Sequence, residues 1–198
     1  MANPLTSVPS TAISLPVLDS DGMSHPFPTL YTTDNHHQHT LFVFIRHFFC
    51  GSCKEYVSTL SSVDGITPDE LSASNKRVII IGCGQSNLIK RYAEDTSCPF
   101  PIYTDPTRKL YDAFGMIRTL SLADEKPAYI KSSFLSNLAK SAFSQLSAGS
   151  SMFQGGDIQQ VGGEYLIDNQ GHILWSHNMN NTQDHLEIKE LRKILTLN

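Results

Sequence analysis

The sequence predicts an α/β fold in which a central, partly parallel sheet is flanked by helices. Continuous apolar runs at 41–45 and 78–81 have the length and composition of strands buried on both faces. Apolar residues recur at helical spacing after the first run, and a short helix is expected after the second. Near the end of the chain, two strand-like segments flank a turn at 169–171 and precede a last amphipathic segment. This alternation of strands and helices is typical of an α/β domain.

Local signals set the bounds of each element. Apolar residues at 56, 57, 60 and 63 form one helical face, and Asp64 and Gly65 are expected to end that helix. Pro106 after Asp105, with Gly115 downstream, marks the start and stop of another helix. In chain order, we expect a strand at 41–45, a helix at 53–63, a strand at 77–82, a helix at 86–93, a strand at 99–103, a helix between Asp105 and Gly115, strands at 163–168 and 172–177, and a last helix capped by Asp184.

The chain divides into an N-terminal arm and one domain. Residues 1–40 are rich in Ser, Thr and Pro, and we expect an irregular arm with one edge strand within 13–18. Residues 41–198 form the domain, which is interrupted at 118–150 by an insertion with one helix across 134–146. Residues 149–163 are rich in Gly and Gln, which predicts a loop.

Composition and charge exclude several classes of protein. The 198 residues are 40% hydrophobic and 17% charged, which suits a globular domain with a full core. Fifteen basic and 19 acidic residues give a net charge of −4, so no nucleic acid or anionic membrane surface is expected as a partner. No apolar run approaches the roughly 20 residues of a membrane-spanning helix. Without a visible secretory signal at 1–19, a cytoplasmic location is expected.

Histidines and cysteines are the candidates for metal binding or redox chemistry. Three histidines fall within 36–39, but no cysteine or carboxylate cluster accompanies them, so we interpret them as a solvated turn and expect no metal site. Four cysteines are too few for a disulfide framework in a chain of this length. Cys50 and Cys53 instead form a Cys-Gly-Ser-Cys pair between a buried strand and a helix. That position favours a redox role.

The start of a helix favours a thiolate, because exposed backbone N–H groups and the positive end of the helix dipole stabilise negative charge. We therefore expect Cys50 to be the attacking sulfur and Cys53, one turn into the helix, to be the resolving thiol. Arg46, His47 and Lys54 are close enough in sequence to stabilise that thiolate. The competing interpretation makes both cysteines inert core residues.

Three further residues remain open to more than one interpretation. His47 is either a base or hydrogen-bond donor to substrate, or a residue that ends the preceding strand. Cys83 ends the second buried strand and is either an alternative resolving thiol or a buried spectator. Glu164 lies among glycines and an aromatic residue, where it could face the cleft.

Four segments in order resemble the peroxiredoxin-like 2 group of the AhpC/TSA antioxidant-domain family: residues 44–57, 79–86, 103–111 and 154–163. The resemblance implies a thioredoxin-like fold and a thiol-dependent oxidoreductase acting on peroxide, endoperoxide or disulfide substrates. It implies no bound cofactor, only an external thiol reductant such as thioredoxin or glutathione. The expected partners are a small-molecule substrate and a reductant protein, with a homodimer left open. The residues expected to contact substrate are Arg46, Phe48, Phe49, Gly162, Gly163 and Glu164.

The chain departs from the motifs of the proteins it resembles. Conventional peroxiredoxins carry Pro and Thr upstream of the reactive cysteine, where this chain has Val43 and His47. Their peroxide-polarising Arg aligns with Gly162, and no proline follows Pro127 to supply the cis-proline of thioredoxins. These departures keep two alternatives open. One is an enzyme of specialised metabolism that isomerises, cyclises or reduces a small organic molecule. The other is a non-enzymatic interaction protein whose disulfide state alters the insertion at 118–150.

Overall fold

The computed structural model describes residues 5–32, 37–131 and 154–197, which form one seven-stranded mixed sheet with helices on both faces. The strands are β1 (Pro16–Leu18), β2 (Ser24–Pro26), β3 (His39–Phe44), β4 (Lys76–Gly82), β5 (Ile102–Thr104), β6 (Gly163–Asp168) and β7 (Ile173–Asn178). The helices are α1 (Ser10–Ile13), α2 (Thr29–Thr32), α3 (Gly51–Leu60), α4 (Pro68–Ala73), α5 (Ile89–Thr96), α6 (Lys109–Ala113) and α7 (Ile188–Ile194), with a 3₁₀ helix at Ser86–Leu88.

The predicted mixed α/β sheet is confirmed. The strand order is β2-β1-β5-β4-β3-β6-β7. The three central strands β3, β4 and β5 are parallel, and β6 and β7 form the antiparallel hairpin expected near the end of the chain. Because parallel strands carry helical connections, β3, β4 and β5 are each followed by helices that cover the sheet.

Strand β3 lies at the centre of the domain and contributes to both cores. Leu41 and Val43 pack with α3 and α7 on one face, and Phe42 and Phe44 pack with α6 on the other. The four side chains are fully buried, as the alternation of strand residues between the two faces of a sheet requires. The strand is therefore fixed on both sides, and so is the turn that follows it.

The N-terminal segment is not the irregular arm that its composition predicts. It forms α1, β1, β2 and α2, and β1 pairs with β5 through Leu18 and Thr104. Val17 and Phe27 are fully buried, so the segment belongs to the second core. The strand expected within 13–18 is β1, but it lies between β2 and β5 rather than at the edge of the sheet. Part of the histidine-rich turn lies outside the described residues, and His39 is the first residue of β3 rather than part of a turn.

Helix α4 was not expected, although its N-terminus carries a clear sequence signal. Thr67 Oγ1 accepts a hydrogen bond from the Glu70 amide at 3.3 Å, and Glu70 Oε2 accepts one from the Thr67 amide at 3.0 Å. This reciprocal pair is a capping box, and Pro68 occupies the first helical turn, where a missing N–H costs nothing.

Two predicted helix ends are wrong. Helix α3 ends at Leu60, and Val63, expected on its apolar face, is 90% exposed. Helix α7 has Glu187 as its N-cap residue, not Asp184. The carboxylate of Asp184 instead accepts a hydrogen bond from the Asn180 amide at 2.7 Å, which closes the turn before the helix.

Residues 118–131 form no helix, and the helix expected at 134–146 lies outside the described residues. Within the described ranges, no helix combines the length and apolar character needed to cross a membrane.

The capping box makes stability depend on pH. Hydrogen bonds from Arg192 and Thr67 lower the pKa of Glu70 to about 2. A carboxylate whose pKa falls on folding stabilises the protein above its unfolded value of 4.5, and that stabilisation is lost as the pH falls toward 2. We expect the urea midpoint of unfolding to be higher for wild type than for Glu70→Gln at neutral pH, and the difference between the two midpoints to shrink as the pH falls. Urea titrations from about pH 7 to about pH 3 measure this difference. Glu94→Gln, at an exposed position, is the control. A midpoint difference that does not change with pH would contradict the lowered pKa of Glu70.

Candidate active site

Cys50 and Cys53 lie where β3 gives way to α3. Cys50 is the N-cap residue of α3, and its amide donates a hydrogen bond to the His47 carbonyl at 3.0 Å. The Cys50 Sγ in turn accepts a hydrogen bond from the Cys53 amide at 3.4 Å. Both cysteines are buried, Cys50 with 3% of its surface exposed and Cys53 with none. The sequence therefore predicts correctly that the Cys50 sulfur faces the start of the helix.

Arg46 brings a full positive charge to the Cys50 sulfur. Its Nη1 donates to Cys50 Sγ at 3.3 Å, its Nη2 to the Ile158 carbonyl at 2.6 Å and its Nε to the Gln160 carbonyl at 3.3 Å. Only 8% of Arg46 is exposed. A buried guanidinium is stable only with its donors satisfied, and here two backbone carbonyls and one sulfur satisfy them.

The loop that holds Arg46 is itself anchored by ion pairs. Residues 154–162 connect to β6 without regular strand structure, which agrees with the predicted Gly- and Gln-rich loop. Asp157 in this loop pairs with Arg108 at 3.2 Å and with Arg118 at 2.6 Å. The carbonyl of Gly155 accepts a hydrogen bond from the Phe48 amide at 3.0 Å. The loop is thus joined to the Cys50 turn as well as to the guanidinium.

The surroundings shift the pKa values of the two thiols in opposite directions. A hydrogen bond from Cys53, followed by the positive charge of Arg46, holds the pKa of Cys50 well below its ordinary value although burial raises it. Burial, together with the adjacent Cys50 sulfur, raises the pKa of Cys53 well above its ordinary value. These surroundings favour the thiolate at Cys50 and the protonated thiol at Cys53.

His47 is neutral at physiological pH. Burial, reinforced by the charge of Arg46, lowers its pKa to about 4. An uncharged imidazole cannot stabilise the Cys50 thiolate by charge, so Arg46 is the cation that does so at neutral pH. His47 does not end the preceding strand, because β3 ends at Phe44; its backbone carbonyl accepts a hydrogen bond from the Cys50 amide within the turn.

Four other residues expected to contact substrate have packing roles around the cysteines: Phe48, Phe49, Gly162 and Gly163. The Phe48 ring packs on Tyr92, with ring centroids 5.1 Å apart, and both Phe48 and Phe49 are buried. A Cβ on Gly162 would lie 1.7 Å from the Phe44 carbonyl oxygen, and one on Gly163 would lie 2.4 Å from the His177 carbonyl oxygen. The two glycines therefore permit close backbone approach beside β3 and β7.

Three other residues named from the sequence lie away from the Cys50 sulfur or are inert. Lys54 Nζ pairs with Asp95 at 2.6 Å on the surface, not with the thiolate. Cys83 is buried, donates its thiol to the Arg46 carbonyl at 2.8 Å and has a pKa raised by burial to about 12. The Cys98 Sγ lies 3.8 Å from the Phe100 carbonyl oxygen.

The structure places Glu164, which was expected to contact substrate, in a buried pair with His185, a residue that sequence reasoning missed. Glu164 is fully buried in β6, and its Oε1 lies 2.6 Å from His185 Nδ1. His185 Nε2 lies 3.7 Å from Cys53 Sγ. A glutamate within an otherwise apolar strand was a signal for Glu164. No local signal marked His185, because it lies 132 positions after Cys53.

Solved structures with this architecture are peroxiredoxins. BcpB of Mycobacterium tuberculosis aligns with a TM-score of 0.59 over 96% of this chain and 95% of its own, at 12% identity. Peroxiredoxin 6 of Arenicola marina, as a cysteine-to-serine mutant, aligns with a TM-score of 0.61 over 98% of this chain and 73% of its own, at 14% identity. The fold is therefore thioredoxin-like.

Sequence relatives give the family. The AhpC/TSA antioxidant enzyme model matches residues 66–181. Peroxiredoxin-like 2C from Homo sapiens is 32% identical over 182 residues, which cover 91% of this chain and 77% of the relative. The protein of that name from Takifugu rubripes is 30% identical over 183 residues, with coverage of 90% and 77%. The chain belongs to the peroxiredoxin-like 2 family.

The Arg46–Cys50 contact predicts the acidity of the reactive thiol. A hydrogen bond to a charged group contributes about 1.5–3 kcal/mol, equivalent to roughly one to two pKa units. We therefore expect Arg46→Met to raise the pH midpoint of Cys50 alkylation by about that amount. Iodoacetamide labelling across pH, followed by peptide mass spectrometry, measures it.

The exposed Arg91→Met is the matched control, since it removes the same charge from the surface of α5. Thermal unfolding of both variants confirms that the loop at 154–162 remains folded. An unchanged midpoint in folded Arg46→Met would show that the guanidinium does not stabilise the thiolate.

Proposed function

We propose that the protein is a thiol-dependent oxidoreductase that reduces small peroxides through Cys50 and Cys53. The Cys50 thiolate attacks one peroxide oxygen; an S–O bond forms, the O–O bond breaks, and the departing oxygen takes a proton to leave as alcohol or water. Cys50 is oxidised to the sulfenic acid as the peroxide is reduced. The attack needs a thiolate, which is the form favoured for Cys50.

One contact supports this activity above all, the hydrogen bond from Arg46 to Cys50 Sγ. At the position aligned with the peroxide-polarising arginine of conventional peroxiredoxins this chain has Gly162, where a side chain would collide with the Phe44 carbonyl. Arg46 delivers its guanidinium from the strand end instead, four residues before the cysteine. The same guanidinium can also stabilise negative charge on the departing peroxide oxygen.

Cys53 completes the cycle in this proposal. Residues three apart at the start of a helix lie about 5–6 Å from each other, a separation that a disulfide spans. The Cys53 sulfur attacks the Cys50 sulfur; an S–S bond forms, the S–O bond breaks, and hydroxide leaves as water. An external thiol reductant, such as thioredoxin or glutathione, then returns the disulfide to two thiols.

The enclosure of Cys50 favours small substrates. Its exposed fraction is 3%, and its sulfur contacts Arg46, which the loop at 154–162 holds in place. Hydrogen peroxide and short alkyl hydroperoxides can reach such a sulfur with little displacement of the loop. Endoperoxides and protein disulfides, the larger substrate classes suggested by the sequence, require the loop to move.

Single cysteine variants test the assignment of roles. We expect Cys50→Ser to abolish peroxide turnover, because no nucleophile remains. Cys53→Ser is expected to stop turnover after one event and to leave Cys50 as a sulfenic acid that dimedone can trap. Peroxide consumption with a thioredoxin or glutathione recycling system, together with mass spectrometry of the trapped peptide, measures both effects. Cys98→Ser, at a partly buried thiol, is the control and should turn over like wild type.

The same variants separate the alternative functions. Turnover of a small organic substrate that survives Cys53→Ser would favour an enzyme of specialised metabolism over the dithiol cycle. A wild-type protein that forms the disulfide but never turns over, and whose partner binding changes with oxidation, would favour a redox-responsive interaction protein. Either result would contradict the proposed peroxide reductase.

A further inference from the structure

A buried polar pair adjoins Cys53, the second cysteine of the Cys-Gly-Ser-Cys segment. His185 Nε2 is 3.7 Å from Cys53 Sγ, and His185 Nδ1 is 2.6 Å from Glu164 Oε1. The side chains of His185 and Glu164 are 1% and 0% exposed. Three residues distant in the sequence thus form a continuous chain of polar contacts: a thiol, an imidazole and a carboxylate.

The surrounding residues hold the imidazole in one orientation. The Tyr56 ring stacks on His185 with centroids 4.2 Å apart and an interplanar angle of 7°. Tyr129 packs edge-on to both rings, and its hydroxyl accepts a hydrogen bond from the His185 amide at 3.2 Å. The histidine is therefore fixed in position by contacts on its face, its edge and its backbone.

The contacts determine which nitrogen carries the proton in the neutral imidazole. A carboxylate can only accept a hydrogen bond, so the close contact with Glu164 places the proton on Nδ1. The lone pair of Nε2 then faces the Cys53 thiol. This is the arrangement of a nucleophile, a base and an orienting carboxylate.

We propose that His185 is the catalytic base that removes the Cys53 thiol proton during disulfide formation, and that Glu164 is the positioning residue that orients it. The proposal rests on the proposed function. The S–H proton moves from Cys53 to His185 Nε2, and the resulting thiolate attacks the Cys50 sulfenic sulfur. An S–S bond forms, the S–O bond breaks, and hydroxide leaves and is protonated to water. Glu164 stabilises the imidazolium cation until it releases its proton.

The environment of Cys53 explains the need for a base. Burial, with the neighbouring Cys50 sulfur, keeps the pKa of Cys53 well above its ordinary value, so little thiolate forms at neutral pH without help. The reverse step uses the same groups. When an external thiol attacks the disulfide at Cys50, Cys53 leaves as a thiolate, and the protonated His185 returns a proton to it.

A cleft beside His185 provides an exit for the proton. It encloses about 780 Å³, part of it open to solvent, and His185 contributes to its wall together with residues 125–128 and 183–187. The carboxylate of Glu187 in that wall accepts a hydrogen bond from the Ala128 amide at 2.6 Å. His185 thus contacts the buried thiol through its imidazole and belongs to the wall of a cleft that opens to solvent.

The test measures the two chemical steps separately in the full chain. Rapid mixing with hydrogen peroxide gives the rate of Cys50 sulfenic acid formation, and the loss of the dimedone-reactive species gives the rate of disulfide formation. In His185→Gln, which retains a polar side chain but no base, the first rate is expected to stay unchanged and the second to fall about 100-fold. Glu164→Gln is expected to slow the second step as well. His172→Gln, at an exposed histidine, is the matched control and should change neither rate.

A pH profile distinguishes a base from a structural residue. In wild type, disulfide formation should proceed below the alkaline range in which Cys53 itself ionises, whereas in His185→Gln it should accelerate only within that range. The titratable or charged groups near the imidazole are Cys53 and Tyr56 of α3, Glu164 of β6, His177 of β7, Tyr129, Asp184 and Glu187, with Glu125 and Lys126 on the wall of the same cleft. None of these is altered by His185→Gln, so the displaced profile reports the imidazole.

Three outcomes would overturn the proposal or its basis. Unchanged disulfide formation in folded His185→Gln overturns the base. If that variant does not fold, the wild-type pH profile decides. Disulfide formation that accelerates only at alkaline pH in wild type would equally overturn the role of His185 as base. If wild type forms no sulfenic acid, the proposed function fails instead. Disulfide made with diamide and reduced by dithiothreitol then tests His185 independently, with an expected slowing of about 100-fold in His185→Gln and no slowing as the refuting result.

Discussion

The site depends on the three hydrogen bonds of the Arg46 guanidinium, two to loop carbonyls and one to Cys50 Sγ. Burial alone would lower the pKa of Arg46, but the neighbouring cysteine sulfurs outweigh it and raise that pKa. The buried cation and the buried thiolate therefore stabilise each other. Because the carbonyl of Arg46 also accepts the Cys83 thiol, the backbone that carries the cation is held from the end of β4 as well.

The opposite behaviour of the two cysteines follows from their positions on one helix. Cys50 caps α3 and receives a backbone amide and a guanidinium, both of which favour negative charge. Cys53 is fully buried one turn later, where Nε2 of His185 lies beside its sulfur. The surroundings of a single Cys-Gly-Ser-Cys segment thus favour ionisation of one thiol and protonation of the other, which are the starting states that the proposed dithiol cycle requires.

Local sequence signals predict the centre of the fold and the position of the cysteines. The apolar runs identify β3 and β4, and the spacing after Cys53 identifies α3, because these patterns depend on neighbouring residues. Of the N-terminal elements only a strand within 13–18 was predicted, and β2 and α4 were missed, since a three-residue strand carries little periodicity and α4 is marked only by its Thr67–Glu70 cap. His185 was beyond sequence reasoning, because it lies in the segment before α7, and only the tertiary fold brings it between Cys53 of α3 and Glu164 of β6.

The central claim is that Cys50 and Cys53 form one redox pair, with Cys50 reacting first. Peptide mapping of the intact protein after about one equivalent of hydrogen peroxide tests it most directly. The account predicts a single new disulfide between Cys50 and Cys53, with Cys83 and Cys98 left as thiols. An unreacted Cys50, or a disulfide that joins Cys50 to Cys83, would contradict it.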